Sequence, residues 1–250
     1  MNKQYFKQYS SRLDRDMECC LYGHSGHPVL FIPCQDGHFY DFESFHMAEV
    51  LQPWIDSGRI MVFSINTIDK ETWSDEHTDP GHRSWLHEMW MEYIFNEVVP
   101  FINGISMERN GHGSGVIAFG CSLGATHAAN LYLRRPDLFD GLIALSGIYT
   151  ASYGFGNYRD ERVYANSPVE YMRGLPKDHP YIGLFNDRRA VICVGQGAWE
   201  QPETTRELDA ICKEKGINIW FDYWGYDVNH DWPWWFKQAE YFMSYVLRER

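Results

Sequence analysis

Short apolar runs alternate along the chain with longer stretches in which apolar residues recur at helical spacing. Short apolar runs bounded by turn residues are typical of buried strands, and longer stretches with a period near 3.6 residues are typical of helices. The predicted strands are Met17–Tyr22, Val29–Pro33, Ile60–Ile65, Gly115–Gly120, Leu142–Ser146, Ala190–Gly195 and Ile217–Trp224. The predicted helices are Phe42–Gln52, Trp85–Ile102, Gly124–Arg134, Pro202–Lys215 and Trp232–Arg248.

This alternation predicts an α/β fold with a mostly parallel central sheet and helices on both of its faces. The length of 250 residues suits one domain spanning residues 1–250. In such sheets, ligands bind beyond the carboxyl ends of the strands. We therefore looked for reactive residues in the loops that follow strands.

One segment breaks the alternation. Ile148 to Arg189 separates two predicted strands by about forty residues, far more than an ordinary loop. It is rich in aromatic residues, glycine and arginine, as in TASYGFGNYRDERVY. Residues 148–189 are therefore predicted to form a cap or insertion over the active-site face, although a surface insertion without a role is the simpler alternative.

Composition narrows the classes of partner. The formal net charge of -12 argues against nucleic acid and anionic membranes as partners. The first sixteen residues contain no apolar stretch, so we expect no secretory signal and no membrane span. The six cysteines form no C-x-x-C pair and lie mostly in apolar runs, which predicts reduced thiols and a cytoplasmic location. The high aromatic content permits a homo-oligomer without requiring one.

The sequence Gly120-Cys121-Ser122-Leu123-Gly124 reads G-x-S-x-G between a predicted strand and a predicted helix. This context is that of a nucleophile elbow, a tight turn that exposes a serine hydroxyl above the sheet. Ser122 is therefore the predicted nucleophile. A glycine-rich turn with an incidental serine is the simpler alternative.

A serine hydroxyl needs a base to activate it and an acid to orient that base, and in α/β-hydrolases these follow in the order Ser, Asp or Glu, His. His230 lies between the last predicted strand and the last predicted helix, which makes it the predicted base. The other ten histidines lie outside that position, and His127 sits in the helix that follows Ser122. Glu200 is the first carboxylate after the strand Ala190–Gly195 and is the predicted acid.

Other carboxylates were considered for the acid. Glu203, Glu207 and Asp209 fall within a predicted helix, and Asp187 precedes the strand. Asp227 and Asp231 flank His230, where they suit a supporting role.

Two backbone amides are predicted to hold the oxyanion of the reaction. The amide of Leu123 lies at a helix N-terminus, and a second donor should come from the loop after the Val29–Pro33 strand. Within Cys34-Gln35-Asp36-Gly37 we expect the Gln35 amide, with one position either way still open. The nearby Cys34 lacks the context of a catalytic thiol.

No cofactor and no metal are predicted. The segment His77 to His82 (HTDPGH), with Asp75 and Asp79, matches no common zinc spacing and contains a Pro-Gly turn. A substrate pocket is predicted from aromatic residues instead: Trp199 near the acid, and Tyr149 and Tyr153 in the cap segment. These would suit an apolar or aromatic acyl or alcohol group.

Several segments resemble an esterase family of the α/β-hydrolase superfamily, the one that includes the esterase D (S-formylglutathione hydrolase) and antigen 85 mycolyltransferase types. They are VLFIPCQDGHFYDFE, AFGCSLGATHAANLYLRRPDLFDGLIALSG, VYANSPVEYM and NHDWPWW. The resemblance implies an acyl-serine mechanism without a cofactor, with catalytic roles for Ser122, an acid near Glu200, and His230. The chain departs from relatives that carry glycines before the histidine, where it has Val228-Asn229, and from those whose acid is Asp.

These observations together predict a serine carboxylesterase acting on a small-molecule ester. An acyltransferase on the same scaffold would share the acyl-serine and pass the acyl group to another alcohol. A hydrolase-like binding protein without activity is the third alternative, although all three triad residue types are present in order.

Overall fold

The computed structural model describes residues 1–248 as an eight-stranded sheet flanked by helices. The strands are β1 Lys3–Ser10, β2 Arg15–Tyr22, β3 His27–Ile32, β4 Ile60–Ile65, β5 Val116–Cys121, β6 Phe139–Leu145, β7 Arg189–Val194 and β8 Trp220–Tyr223. Their order across the sheet is β1-β2-β4-β3-β5-β6-β7-β8. β1 and β2 run antiparallel to their neighbours, and the remaining six strands are parallel to one another.

Helices cover both faces of this sheet, as predicted. They are α1 Asp41–Ser44, α2 Met47–Asp56, α3 Pro80–Tyr93, α4 Val99–Asn110, α5 Leu123–Arg134, α6 Ser152–Phe155, α7 Glu161–Ala165, α8 Pro168–Gly174, α9 Tyr181–Asn186, α10 Glu203–Lys215 and α11 Trp232–Val246. One apolar layer joins the sheet to α3, α4, α5, α8 and α10. A second layer on the opposite face joins it to α2 and α11.

The central strands are fully buried. Every residue of β4 and β5 is buried, because helices cover both faces of a parallel sheet. Their continuous apolar runs therefore gave reliable strand positions. Within residues 1–248 no helix is long and apolar enough to cross a membrane.

Strand β1 was not predicted. Its sequence KQYFKQYS is almost entirely exposed, so it has no buried face from which an alternating apolar pattern would follow. It forms the outer edge of the sheet, where its pairing partner β2 supplies the backbone hydrogen bonds.

Two predicted helices are interrupted. His46 adopts a left-handed φ of 65°, which divides the predicted Phe42–Gln52 helix into α1 and α2. A turn of π-helix over Ile94–Val98 separates α3 from α4 within the predicted Trp85–Ile102 helix.

The 148–189 segment contains four short helices, α6 to α9, none longer than seven residues. A partly buried polar network ties it to the body of the fold. Arg134 of α5 forms a bidentate ion pair with Glu88, at 2.6 and 2.9 Å, and Asn166 donates to the same carboxylate at 3.0 Å. The segment is thus anchored at its middle by a charge-assisted contact.

Candidate active site

Ser122 occupies the turn between β5 and α5. Its φ of 57° and ψ of -130° are rare for a residue with a side chain, and such a backbone costs on the order of 1–3 kcal/mol. The turn is held because the Ser122 amide donates to Leu145 O at 2.8 Å and its carbonyl accepts from Ala125 N at 2.9 Å. This strained strand–turn–helix geometry is that of a nucleophile elbow.

The two glycines of the elbow allow backbones to approach closely. A Cβ on Gly120 would lie 2.2 Å from the carbonyl oxygen of Gly124. A Cβ on Gly124 would lie 2.3 Å from the carbonyl oxygens of Ile32 and Pro33. The first turn of α5 therefore packs directly against the end of β3, which brings the loop after β3 next to the serine.

His230 reaches the serine from the loop after β8. Its Nε2 lies 2.9 Å from Ser122 Oγ, and its backbone N–H donates to Ala198 O at 3.0 Å. The imidazole packs edge-on against Trp235, with ring centroids 4.9 Å apart, while 24% of the side chain remains exposed. The imidazole is thus fixed in orientation and still partly exposed beside the serine.

Glu200 holds the other side of the imidazole. Its Oε2 lies 3.3 Å from His230 Nδ1, and its Oε1 accepts from Ser146 Oγ at 2.7 Å and from Gly195 N at 3.1 Å. The carboxylate is only 1% exposed, so these donors replace the water it has lost. Trp235 Nε1 in turn donates to Ser146 Oγ at 3.0 Å.

The loops that carry acid and base are bonded to each other. Gly197 N donates to Val228 O, and Ala198 N donates to Asn229 Oδ1, both at 2.8 Å. A Cβ on Gly197 would lie 2.4 Å from Asn229 Oδ1, so the contact requires glycine at that position. Val228-Asn229, which departs from the glycines of relatives, thus supports the acid loop.

Two backbone donors are free near the serine. The N–H of Leu123 lies at the start of α5, and the N–H of Gln35 lies in the loop after β3. Within residues 1–248 neither N–H has a hydrogen-bond acceptor in the protein. Unpaired donors at a helix N-terminus suit a developing oxyanion.

The family model named Esterase, described as "Putative esterase", matches residues 10–239. The chain belongs to this esterase family. The family places it among the hydrolases that cleave carboxylic esters. No curated protein matches it by sequence.

Solved structures with the same fold are distant in sequence from this esterase. A ferulic acid esterase is 17% identical, with a TM-score of 0.74, over 99% of this chain and 98% of its own. The fluorophosphonate-binding serine hydrolase FphF of Staphylococcus aureus is 10% identical, with a TM-score of 0.70, over 99% of both chains. An S-formylglutathione hydrolase from Agrobacterium tumefaciens is 12% identical, with a TM-score of 0.70, over 98% of this chain and 94% of its own. These confirm the predicted α/β-hydrolase fold of the esterase.

A cavity of about 150 Å³ opens beside the serine. It is lined by Ser122, Leu123, Thr126, Ser146, Ile148, Tyr153, Trp199, Gln201 and His230. Two of the three predicted pocket aromatics, Trp199 and Tyr153, are among them. Trp199 adopts a φ of 67° and is 87% exposed, so it stands at the rim of the cavity.

Tyr149 differs from the prediction. Its side chain is fully buried in the larger apolar layer and does not line the cavity. Its backbone amide donates to Thr204 Oγ1 at 3.1 Å, which turns the chain inward at the start of the 148–189 segment. Aromatic content alone could not separate this core residue from the pocket residues.

Asp75 and Asp79, in the segment around His77 and His82, accept hydrogen bonds from nearby backbone N–H groups. Asp75 Oδ1 accepts from the backbone N–H groups of His77 and Thr78, at 2.8 and 3.1 Å. Hydrogen bonds from the Thr78 side chain and these amides lower the pKa of Asp75 to about 2. Asp79 caps α3 through His82 N. Within the described residues no group of three or more His, Cys, Asp and Glu could hold a metal ion.

The sequence analysis missed two residues beside the candidate triad. Ser146 follows β6, between the strands that precede the serine and the acid, and its left-handed φ of 59° aims the hydroxyl at Glu200. Its position at the carboxyl end of a parallel strand was the available signal. Trp235 sits one turn into α11, and nothing in its spacing distinguished it from the other tryptophans.

Proposed function

We propose that this esterase is a serine carboxylesterase in which Ser122, His230 and Glu200 form the catalytic triad. The observation that carries the proposal is the 2.9 Å contact between His230 Nε2 and Ser122 Oγ on a strained elbow. A nucleophile in hydrogen-bond contact with an oriented base is the arrangement that acyl transfer requires.

In the proposed first step, His230 takes the proton from Ser122 as Oγ attacks the ester carbonyl. The Leu123 and Gln35 amides donate to the oxyanion of the tetrahedral intermediate, which lowers the barrier by on the order of 3 kcal/mol per donor. His230 then protonates the leaving alcohol, and an acyl group remains on Ser122. Glu200 keeps the proton of the neutral imidazole on Nδ1 and stabilises the imidazolium.

In the second step, water attacks the acyl-serine with His230 again as base. Transfer of the acyl group to another alcohol is the alternative fate of the same intermediate. The partition of product between acid and a new ester, measured with an added alcohol, distinguishes the esterase from an acyltransferase.

We propose that the cavity holds the acyl or alcohol group of the substrate. Its volume of about 150 Å³ is comparable to that of an engineered cavity that accommodates benzene. Tyr153 and Trp199 form its aromatic side, and the 148–189 segment that carries Tyr153 acts as the cap. Trp199→Ala should change the ranking of a panel of 4-nitrophenyl esters; an unchanged ranking would exclude a role for Trp199 in selectivity.

The cellular location is proposed from the state of the cysteines. All six cysteines lie among the described residues as free thiols, which supports a reducing compartment such as the cytoplasm. The substrate is proposed to be a small ester, and the exclusion of nucleic acid and the option of a homo-oligomer stay predictions.

The first test is labelling with a fluorophosphonate probe, read by intact mass and peptide mapping. We expect one adduct on Ser122, lost in Ser122→Ala. The matched control is Ser57→Ala, which removes an exposed serine that bonds only to carbonyl groups of its own helix. Folded wild-type protein without an adduct would contradict the proposal and favour the inactive binding protein.

A further inference from the structure

A second carboxylate–imidazole pair lies inside the molecule, close to the elbow. Asp69 Oδ1 and His127 Nε2 are 2.9 Å apart, and both side chains are only 1% exposed. Asp69 begins a short 3-10 turn after β4, and His127 lies in α5, five residues after Ser122. His127 precedes Glu200 in the chain, so it lies outside the order Ser, acid, His of the predicted triad.

The free oxygen of Asp69 reaches the loop after β3. Its Oδ2 accepts from Asp36 N at 3.3 Å, and Asp36 is the residue that follows Gln35. Asp36 adopts a left-handed φ of 61°, which a residue with a side chain adopts only when its surroundings impose it.

Asp69 holds this loop at a second point through its backbone. Its carbonyl accepts from Ser74 N at 2.8 Å, and Ser74 Oγ donates to Asp36 Oδ1 at 2.7 Å. The same hydroxyl accepts from Gln35 Nε2 at 2.8 Å. Gln35, the predicted second oxyanion donor, and Asp36 after it are thus both tied to the turn that starts at Asp69.

The surroundings of His127 leave Asp69 as its polar partner. Its ring contacts those of Trp73, His87 and Trp90, with centroids 5.1 to 5.4 Å away. Within residues 1–248 its Nδ1 has no hydrogen-bond partner. The proton therefore belongs on Nε2, where it is donated to Asp69. Burial lowers the pKa of the neighbouring His87, so that ring adds no charge.

Stability alone does not account for this pair. Burial of the Asp69 carboxylate costs several kcal/mol in desolvation, and apolar residues of similar size often serve folding as well as buried charged groups do. The pair connects α5, whose N-terminus carries the Leu123 amide, to the loop after β3 that carries the Gln35 amide.

We infer that Asp69 and His127 are positioning residues that fix the Gln35 loop relative to the N-terminus of α5, and so set the spacing of the two oxyanion donors. This inference rests on the proposed function. Neither side chain lines the cavity, so both act through backbone that they hold. An oxyanion donor contributes fully only when it is already in place as charge develops.

The test compares two substitutions of His127 with one of His87. His127→Phe removes the donor to Asp69, and His127→Gln retains a donor at a similar reach. His87→Phe is the matched control, because His87 is buried in the same aromatic cluster but, within residues 1–248, neither of its ring nitrogens has a hydrogen-bond partner. With 4-nitrophenyl acetate as probe, we expect His127→Phe to lower kcat about 10- to 100-fold with KM within about threefold, because a displaced donor is lost mainly from the transition state.

His127→Gln should recover most of that loss, and His87→Phe should keep kcat near wild type. Equal losses in His127→Phe and His87→Phe would overturn the inference, because packing alone would then explain both. A folded Asp69→Asn variant with full kcat would overturn it as well.

A second readout does not depend on ester turnover. Amide hydrogen exchange at residues 34–37 should accelerate in His127→Phe and Asp69→Asn, and should stay as in wild type in His87→Phe. Unchanged exchange in the first two would refute the positioning role. Wild-type protein that neither turns over esters nor labels at Ser122 would instead contradict the proposed function, while the exchange result would still decide whether the loop is held by this pair.

Discussion

Two carboxylate–imidazole pairs of the esterase, His230 with Glu200 and His127 with Asp69, differ in what lies on the far side of the ring. In the first pair the second nitrogen points at Ser122 Oγ, and a quarter of the imidazole is exposed to the cavity. In the second pair the free nitrogen faces aromatic rings, and the carboxylate uses its other oxygen to bond backbone. The same chemical pair can therefore place its imidazole beside a serine hydroxyl or enclose it among aromatic rings.

The strands explain how the two pairs are separated. Glu200 and His230 follow β7 and β8, two neighbouring strands whose ends align at Val194 and Tyr223. The second pair joins the turn after β4 to the middle of α5, beneath the elbow. Position relative to the carboxyl edge of the sheet, more than residue type, determines which histidine can reach a substrate.

Among these substitutions, replacing His230 should lower kcat the most. His230→Ala is expected to lower kcat by on the order of 10⁶, because the nucleophile and base act as a unit. The measurement is turnover of 4-nitrophenyl acetate by wild type and variant. His46→Ala is the control, since His46 forms an exposed pair with Glu49 at 2.9 Å and lies outside the site. A fall of less than 100-fold would remove His230 from the proposed triad.

Replacing the acid should cost less than replacing the base. Glu200→Gln keeps the shape of the side chain and presents the wrong donor to His230 Nδ1, so we expect kcat to fall by on the order of 10⁴. The measurement is the same turnover assay, with melting temperature recorded as a check on folding. If Glu200→Gln lost no more than Asp69→Asn, the distinction drawn between the two pairs would be wrong.

Removing the hydroxyl beneath the acid should have a smaller effect. Ser146→Ala leaves Glu200 Oε1 with one fewer donor and leaves Trp235 Nε1 without its acceptor. An unsatisfied buried donor costs about 1–3 kcal/mol, so unfolding by urea should show a loss of that size. We expect kcat to fall by about tenfold, as for the loss of one hydrogen bond to a charged group. A variant as stable and active as wild type would contradict the network.

The smallest expected effect is that of alkylation at Cys34, the residue before Gln35. The protein packed around its sulfur raises the pKa of the thiol to about 12, and the nearby Asp41 carboxylate adds to the shift. Because the thiol, and not the thiolate, is then the form present at pH 8, iodoacetamide should leave Cys34 unmodified and the enzyme active. Alkylation should accelerate only as the pH approaches that raised value. Rapid modification at pH 8, read by peptide mapping, would show that the thiol is ionised.

Much of the fold could be predicted from the sequence because its central strands are almost entirely apolar. β4 was predicted with its observed bounds, Ile60–Ile65, and β5 was displaced by one residue. β1 was missed because an exposed edge strand carries no apolar pattern. The predicted Ile217–Trp224 strand is shorter, since Asn218 N donates to Asn186 Oδ1 instead of continuing the sheet.

The candidate site was predictable where chain order and loop position decide it. His230 lies within hydrogen-bond distance of both Ser122 and Glu200, and the three follow the predicted chain order Ser, Glu, His, although their catalytic roles stay proposals. Trp235 and Asp69 could not be predicted, because they meet the site through contacts between distant parts of the chain, and only the strand-end position of Ser146 gave a signal. Tyr149 was wrongly predicted to line the pocket, because an aromatic residue in a cap-like segment can belong to the core.

The hydrogen bonds between the loop of Glu200 and the loop of His230 affect when activity returns during refolding. Ser122 follows β5, but Glu200 and His230 follow β7 and β8. The hydrogen bonds from Gly197 N to Val228 O and from Ala198 N to Asn229 Oδ1 form only when both of these strands have docked. Pairing of segments far apart in sequence is slow, because the entropy of closing the intervening chain is lost before the contacts form. Ester hydrolysis would thus be the last property to return, and the rate of serine labelling would time completion of the sheet.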